Sequence, residues 1–405
     1  MIEQTITGYV GNLVDIRRDI HAHPELAFEE HRTSALVADN LRTLGFDVTC
    51  GIAGTGVVGS LTCGSGGKSI GLRADMDALP MTEATGLPYS SKIPGKMHAC
   101  GHDGHITMLL GAARYIAQTR DFEGTVHLIF QPAEEDIGGA KAMIDDGLFE
   151  RFPCDAVFAM HNLPGKPCGE FVVRPGSFMA SADACSIVIR GKGGHGAMPH
   201  LTVDPVVVGS SVVMALQTVV SRRIDPLAGG VVTVGRFSAG TSSNIIPETA
   251  ELDIGVRSFS PEVREQLRGI ICKMVEEQVA SFGARCEIAY DYGYPVTVNS
   301  VAETEFVRSV ALDLAGPGNV HELLYPFPVS EDFAFMLNER PGCYFGLGMG
   351  DEPDRPWLHD PCYDFNDDCL VRGSAIWPIW SSAIWCTRAC WDSGCGAGLP
   401  GLVQI

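Results

Sequence analysis

The sequence predicts an α/β protein, a mixed sheet with helices on both faces, interrupted by a second, inserted α+β domain. Two observations carry this reading. Short apolar runs that read as strands alternate with helical stretches, and three of the runs lead into segments that carry acidic or imidazole side chains. Near residue 184 the order changes to strand, helix, strand, strand, helix, strand, which is that of a ferredoxin-like antiparallel sheet backed by two helices. At 405 residues the chain suits two domains, on a soft expectation of ~100–200 residues each. We place them at 1–183 with 296–405, and at 184–295.

Leu13 to Leu44 reads as helix, broken at His23-Pro24-Glu25 because proline lacks an amide donor and restricts the residue before it. Val57–Leu61 and Ser69–Ala74 read as strands, the second running into Asp75-Met76-Asp77. Thr125–Phe130 leads into Gln131-Pro132-Ala133-Glu134-Glu135, and Ala156–Met160 into His161-Asn162. Helices are expected at Ile106–Ala117 and Ala140–Asp146. Open α/β sheets build their sites outside the carboxyl ends of the strands, so these side chains should converge. An adjacent pair such as Glu134-Glu135 is more often a solvated acidic patch, but its place after a buried strand and a proline argues for the site.

In the insert, Ala184–Arg190, Val231–Phe237, Glu251–Phe259 and Cys286–Asp291 read as strands, with Val206–Ser221 and Glu262–Phe282 as helices. After Pro295 a helix at Ala302–Leu314 and a strand at Cys343–Leu347 resume the first pattern. The stretch from Ser374 to Ile405 stands apart: it holds four of the five tryptophans, its only charges are Arg388 and Asp392, and it has no clean period. It reads either as a frameshifted end or as an apolar tail packed on the sheet or a partner. On that basis, removing the residues after Gly373 should alter solubility or stability more than turnover per folded molecule.

The charge balance, 29 basic against 49 acidic residues, and the absence of a basic block or basic-aromatic stripe exclude a phosphate-tracking surface. The uncharged stretch Pro205 to Ser221 contains glycine, serine and glutamine and falls short of the ~20 apolar residues of a membrane span. Met1-Ile2-Glu3-Gln4-Thr5 has no signal-peptide pattern, and the 14 cysteines lack regular spacing, so they read as reduced thiols. The expectation is a soluble cytoplasmic protein.

The chemistry concentrates in His98-Ala99-Cys100-Gly101-His102-Asp103-Gly104-His105. Thiol, imidazole and carboxylate lie close together, with glycines that let the backbone turn sharply. Cys100 and His102 can reach one metal centre, while His105 opens the apolar pattern of the following helix. A polar turn that caps this helix through Asp103 is the alternative for the cluster taken alone.

Together with His21-Ala22-His23-Pro24-Glu25, Arg73 to Pro80, Gln131 to Glu135, Met160-His161-Asn162, Gly193 to His200 and Leu358-His359-Asp360-Pro361, the cluster resembles a known family. It is similar to the metal-dependent aminoacylases that include hippurate hydrolases and plant auxin-conjugate amidohydrolases, a branch of the two-metal exopeptidases related to glutamate carboxypeptidase. The resemblance runs from about Ile16 to Leu370. It implies that the discontinuous domain is catalytic and the insert a lid and dimerisation domain. It implies that Cys100, His102, Glu135, His161 and His359 ligate a pair of divalent ions, with zinc, manganese, cobalt or nickel suiting these donors better than calcium. Glu134 would be the general base, taking a proton from metal-bound water and passing it to the leaving nitrogen. Asp77 resembles the carboxylate behind the ligands, although Asp75 stands where the wider superfamily has a histidine. His195 matches the histidine that reaches across a dimer to stabilise the oxyanion. Asn244 and Arg257 match positions that hold the substrate carboxylate. Taken alone, His195 could cap a glycine-rich turn and Arg257 could be a surface residue. His21 and His23 are expected to shape the N-terminal helix rather than bind metal.

The function so implied is metal-dependent hydrolysis of N-acyl or N-aroyl amino acids by attack of metal-bound hydroxide on the amide carbonyl. The partners expected are the small substrate and a second copy of the chain, as a homodimer or homotetramer. A dipeptidase or carboxypeptidase keeps the chemistry but adds a free amine to recognise. A non-catalytic metal-containing binding protein is the third reading, and retention of Glu134 beside every ligand candidate speaks against it.

Overall fold

The structure, a computed structural model, describes residues 2–135 and 138–386. The chain forms two compact units, one of residues 1–173, 302–322 and 340–405, the other of 174–301 and 323–339.

In the first unit, helices α1 (Ile2–Thr7), α2 (Val10–His21) and α3 (His31–Thr43) precede strands β1 (Asp47–Ile52), β2 (Gly56–Cys63) and β3 (Ser69–Asp75). Then come α4 (His102–Thr119), β4 (Gly124–Gln131), α5 (Gly139–Asp145), α6 (Leu148–Arg151), β5 (Ala156–Leu163) and β6 (Phe171–Val173). The second unit holds β7 (Gly176–Met179), β8 (Ala182–Arg190), β9 (Gly194–His195), α7 (Pro205–Arg223), β10 (Gly230–Ala239) and β11 (Ile245–Ile246). It continues with β12 (Thr249–Ser258), α8 (Pro261–Ser281), β13 (Arg285–Tyr294) and β14 (Thr297–Asn299). After them the chain runs through α9 (Val301–Ala315), β15 (Val320–Glu322), α10 (Phe333–Glu339, in the second unit), β16 (Gly342–Gly348) and α11 (Leu370–Cys386).

The first unit is built on an eight-stranded mixed sheet of order β1-β2-β4-β3-β5-β16-β6-β15. Its centre, β4-β3-β5-β16, is parallel and almost wholly buried. That explains the continuous apolar runs that marked these strands, since a strand covered on both faces loses its alternation. Because the four central strands run the same way, Asp75, Gln131 and His161 come out at one end of the sheet. Helix α4 packs over β3 and carries its own apolar face, Ile106, Leu109, Leu110, Ala113 and Ile116, into the core.

The sheet of the second unit has the order β10-β12-β8-β13 with every pairing antiparallel, as the strand-helix order implied. Alternate residues of β8 and β12 face the helices. Helix α7 is apolar enough by length and composition to cross a membrane. Here its stripe of Val208, Val212, Leu216 and Val219 covers the sheet. The unit is wider than the expected 184–295. A ladder between β7 and β14 ties the two ends of the insertion together, and Arg174 donates hydrogen bonds of 2.7 Å to the carbonyls of Leu323 and Leu324.

The stretch after Gly373 has no period because its start is buried all round. It belongs to α11, which packs against α4 and α1, with Ala375, Ile376 and Trp377 in the core and the Trp377 ring 5.6 Å from that of Phe345. The expected removal of everything after Gly373 therefore takes out part of the core. The remainder of the tail, 387–405, lies outside the described residues.

Candidate metal centre

The site grows from the turn that starts α4. Gly101 has φ +93°, and a Cβ there would stand 2.5 Å from Asn162 Oδ1 and 2.7 Å from the Tyr363 hydroxyl. Only glycine lets the Cys100-Gly101-His102 turn lie this close to β5. The helix begins at His102, four residues before the apolar run that announced it, so His102 sits at its first turn.

Each candidate ligand is oriented by a second contact. His102 Nδ1 lies 2.9 Å from the Asp77 carbonyl and 3.2 Å from Asp77 Oδ1, which leaves Nε2 facing Glu135 Oε1 at 3.8 Å. His161 Nδ1 lies 2.8 Å from the Asn162 carbonyl oxygen, and its Nε2 is 3.4 Å from Cys100 Sγ. His359 approaches from a loop with φ +64°, its amide bonded to the Ala99 carbonyl and its Nε2 3.4 Å from Glu135 Oε1. Glu135 follows a turn in which Ala133 has φ +53° and donates its amide to Glu30, and the Glu135 amide donates to Asp77 Oδ2 at 2.9 Å. Asp77 thus braces two of the candidates at once.

The ligand atoms of Cys100, His102 and His161, of Cys100, Glu135 and His359, and of His102, Glu134 and Glu135 form groups whose members all lie within 4.8 Å. All five residues named from the sequence as ligands are therefore brought together, with Glu134 beside them and buried. His102 Nε2 and Glu135 Oε1 are buried without a hydrogen-bond partner, which is the condition of atoms built to hold something else. Burial, reinforced by Glu135, Glu134 and Asp75, pushes the Cys100 thiol far above its usual range. Burial lowers the basicity of His102, yet Asp75, Asp77 and Glu135 outweigh it and raise the group to about 10. Burial and the neighbouring His105 keep His161 neutral. A negative field on buried sulfur, nitrogen and oxygen donors fits divalent cations of borderline softness.

Asp75, the departure from the wider pattern, lies 3.8 Å from His102 Nε2 and is itself held by two other side chains. Its Oδ1 lies 2.6 Å from His105 Nδ1 and its Oδ2 accepts from Arg73 at 2.7 Å, while His105 Nε2 accepts the Asn162 amide at 3.1 Å. This brace behind the ligands was not anticipated. Its signal was the spacing of Arg73 and Asp75, two apart on one face of a strand.

A second buried network lies behind Asp103. His21 is 2.9 Å from Asp103 Oδ2 and 3.4 Å from Glu83 Oε1. Burial opposes its charge, but these two bonds raise the group from 6.5 to about 9. His23 instead bonds the Asp19 carbonyl on the last turn of α2. A histidine raised this far contributes on the order of 3 kcal/mol below pH 6.5, a contribution lost as the pH passes through 9. Stability to urea should therefore fall between about pH 7 and pH 10. His21→Gln should flatten that fall; an unchanged slope in the variant would exclude His21 as its source.

His195, Asn244 and Arg257 belong to the second unit. His195 and Asn244 are neighbours: β9 pairs with β11, setting His195 opposite Ile245, and the Gly196 amide donates to the Asn244 carbonyl at 2.8 Å. Both are exposed. Arg257 is near the far end of β12, opposite Val231, and donates to the Val256 carbonyl. From Thr249, where the His195 end begins, to Arg257 is about 25 Å at the usual rise of a strand. The three are not brought together within this unit.

The profile of Peptidase family M20/M25/M40 matches residues 71–378, a span that includes every candidate ligand. The chain belongs to that family. Among M20 relatives, it is 43% identical over 367 residues to a hippurate hydrolase of Campylobacter jejuni, covering 91% of this chain and 95% of that one. It is 40% identical to an IAA-amino acid hydrolase of Arabidopsis thaliana, covering 90% and 83%. It is also 40% identical to thermostable carboxypeptidase 1 of Saccharolobus solfataricus, covering 84% and 86%. Among solved structures, a Bacillus subtilis protein described as a dinuclear metal binding peptidase from the M20 family superposes with TM-score 0.82 at 31% identity, covering 93% and 98%. The M20 chain described here carries the donor set of a divalent-metal site.

Proposed function

We propose that the protein is a metal-dependent amidohydrolase that cleaves N-acyl amino acids to a carboxylic acid and a free amino acid. The observation that carries this reading is the convergence of Cys100, His102, Glu135, His161 and His359 beside a buried carboxylate, Glu134, that is not needed as a ligand. Family membership and the hippurate hydrolase and IAA-amino acid hydrolase relatives support the substrate class.

The five residues would hold a pair of divalent ions, with manganese, zinc, cobalt and nickel all suited to the donors. When bound, such ions supply Lewis acidity, polarising the scissile carbonyl and acidifying the attacking water. Glu134 takes the proton from that water and returns it to the leaving nitrogen, the double duty of a general base that becomes a general acid. Asp77 keeps His102 and Glu135 aimed while charge develops.

His195 serves as the oxyanion donor, and Asn244 and Arg257 receive the substrate carboxylate. The distance along β12 separates His195 and Asn244 from Arg257 by more than the length of an N-acyl amino acid. A substrate that meets all three must therefore draw on two copies of the chain. Edge strand β10, with Val231 and Phe237 exposed, and α7, with Met214 exposed, offer the face for a homodimer. The cysteines of the described residues are free thiols, which accords with a cytoplasmic location.

The test is release of amino acid from N-benzoylglycine and N-acetylmethionine by metal-stripped protein, before and after resupply of manganese, zinc or cobalt. Metal-restored release supports the proposal. Release from dipeptides alone would move the assignment to a peptidase, and no release from protein with its metals bound would leave a binding role.

A further inference from the structure

Outside the metal centre, two cysteines among the described residues of the first unit are placed for chemistry with each other. Cys168 lies on the loop between β5 and β6 and is exposed; Cys369 ends a short 3₁₀ turn, Asp367–Cys369, and is fully buried. The Gly348 carbonyl gathers both segments: it accepts the Gly169 amide at 3.0 Å and the Cys369 thiol at 3.2 Å. Cys168, the neighbour of Gly169, and the Cys369 sulfur are thus drawn to one carbonyl. Gly169, with φ +80°, lets the loop approach closely enough that a Cβ there would lie 3.1 Å from Cδ of Arg372.

We propose that Cys168 and Cys369 form a reversible dithiol–disulfide site that responds to hydroperoxides, with Cys168 reacting first and Cys369 resolving it. The charges favour that order. The neighbouring Cys369, with Arg355 and Arg372, holds the Cys168 thiol below its ordinary value, and the neighbouring Cys168 together with burial pushes Cys369 up. An exposed thiol of low pKa beside a shielded partner is the arrangement of thiol sensors.

In the first step the Cys168 thiolate attacks one oxygen of the hydroperoxide. The O–O bond breaks, an alkoxide or hydroxide leaves and takes a proton, and Cys168 becomes a sulfenic acid. The Cys369 sulfur, giving up its proton, then attacks the Cys168 sulfur. The S–S bond forms, the S–O bond breaks, and water leaves. Overall, two thiols lose two electrons and two protons, and the hydroperoxide is reduced to an alcohol or water, plus the water released. A small dithiol reverses the bond by exchange. The disulfide would join the loop that follows β5 to the turn that leads into α11, using none of the candidate metal ligands.

The test uses full-length, metal-loaded protein exposed to hydrogen peroxide, alkylated, digested and mapped by mass spectrometry. A peptide linked through Cys168 and Cys369, lost on treatment with dithiothreitol, is the expected result. In Cys369→Ser, dimedone should label Cys168; in Cys168→Ser, Cys369 should stay unlabelled. Phenylarsine oxide, which needs two adjacent thiols, should lose one equivalent of binding in either variant. Oxidation of folded wild-type protein that links other cysteines, or that carries Cys168 to the sulfinic acid with no link to Cys369, overturns the proposal. Should Cys369→Ser fail to fold, the wild-type map and Cys168→Ser, altered only at an exposed position, still decide.

Discussion

Glu134→Ala should lower turnover of N-benzoylglycine by about a thousand-fold, within the usual range for loss of a general base, while leaving the metal content of the protein unchanged. Glu135→Ala should lose both. The two neighbours differ in what they touch. Glu135 Oε1 lies 3.4 Å from His359 Nε2 and 3.8 Å from His102 Nε2 and has no hydrogen-bond partner, the position of a ligand. Glu134 is buried next to it, close enough to His102 to share the group yet outside the set around Cys100, Glu135 and His359. A carboxylate so placed can move protons without giving up a metal contact. Metal stoichiometry by plasma mass spectrometry and single-turnover hydrolysis separate the roles. Normal turnover in Glu134→Ala, or metal lost from Glu134→Ala and kept by Glu135→Ala, would reverse the assignment.

The convergence of these side chains was legible because the first unit announces its site in sequence. Three of the four central strands are mainly apolar runs that lead into the polar residue they deliver, Asp75, Gln131 or His161, and parallel strands put all such residues at one end. The antiparallel unit was legible from a different signal, the alternation along β8 and β12. What escaped shares a physical cause, dependence on contacts far along the chain. Strand β1 is half-exposed and is specified by its pairing with β2 rather than by its own composition. Helix α11 hides its period because four consecutive residues of its first turns, Ser374 to Trp377, are buried. The brace of Asp75, Arg73 and His105 uses a strand and a helix start 30 residues apart. Such partners are visible only once the sheet has been assembled.

Arg17 is the extreme case, and it predicts the largest loss of stability. Arg17, on α2, is of a residue type that is mostly exposed. It is instead fully buried, with Nη1 3.3 Å from Asp103 Oδ2 and 3.1 Å from Asp364 Oδ1, and Nε 2.6 Å from Asp367 Oδ1. One guanidinium thus joins the N-terminal helix, the residue that follows His102 and the segment that leads into α11. Burial disfavours its charge, but the three carboxylates outweigh burial and hold it protonated, while the Asp103 carboxyl, although also buried, is held well below its usual range by His21 and Arg17. Arg17→Met removes the cation and leaves Asp103 buried with His21 as its remaining charged partner, a change that should cost about 3–5 kcal/mol. Arg17→Lys should recover only part of the loss, because an ammonium cannot span three carboxylates as a planar fork does. Asp103 has a lowered folded pKa, so its stabilisation is present above the unfolded carboxylate range and fades as the pH falls. The deficit of Arg17→Met should accordingly hold from pH 7 to about pH 4 and shrink as the pH falls from about 4 to about 2, where protonation relieves the carboxylates. Urea denaturation across that range measures it. A deficit below about 1 kcal/mol would place the pair among solvated surface bridges, and a deficit that does not change with pH would trace the loss to packing of the arginine stem rather than to its charge.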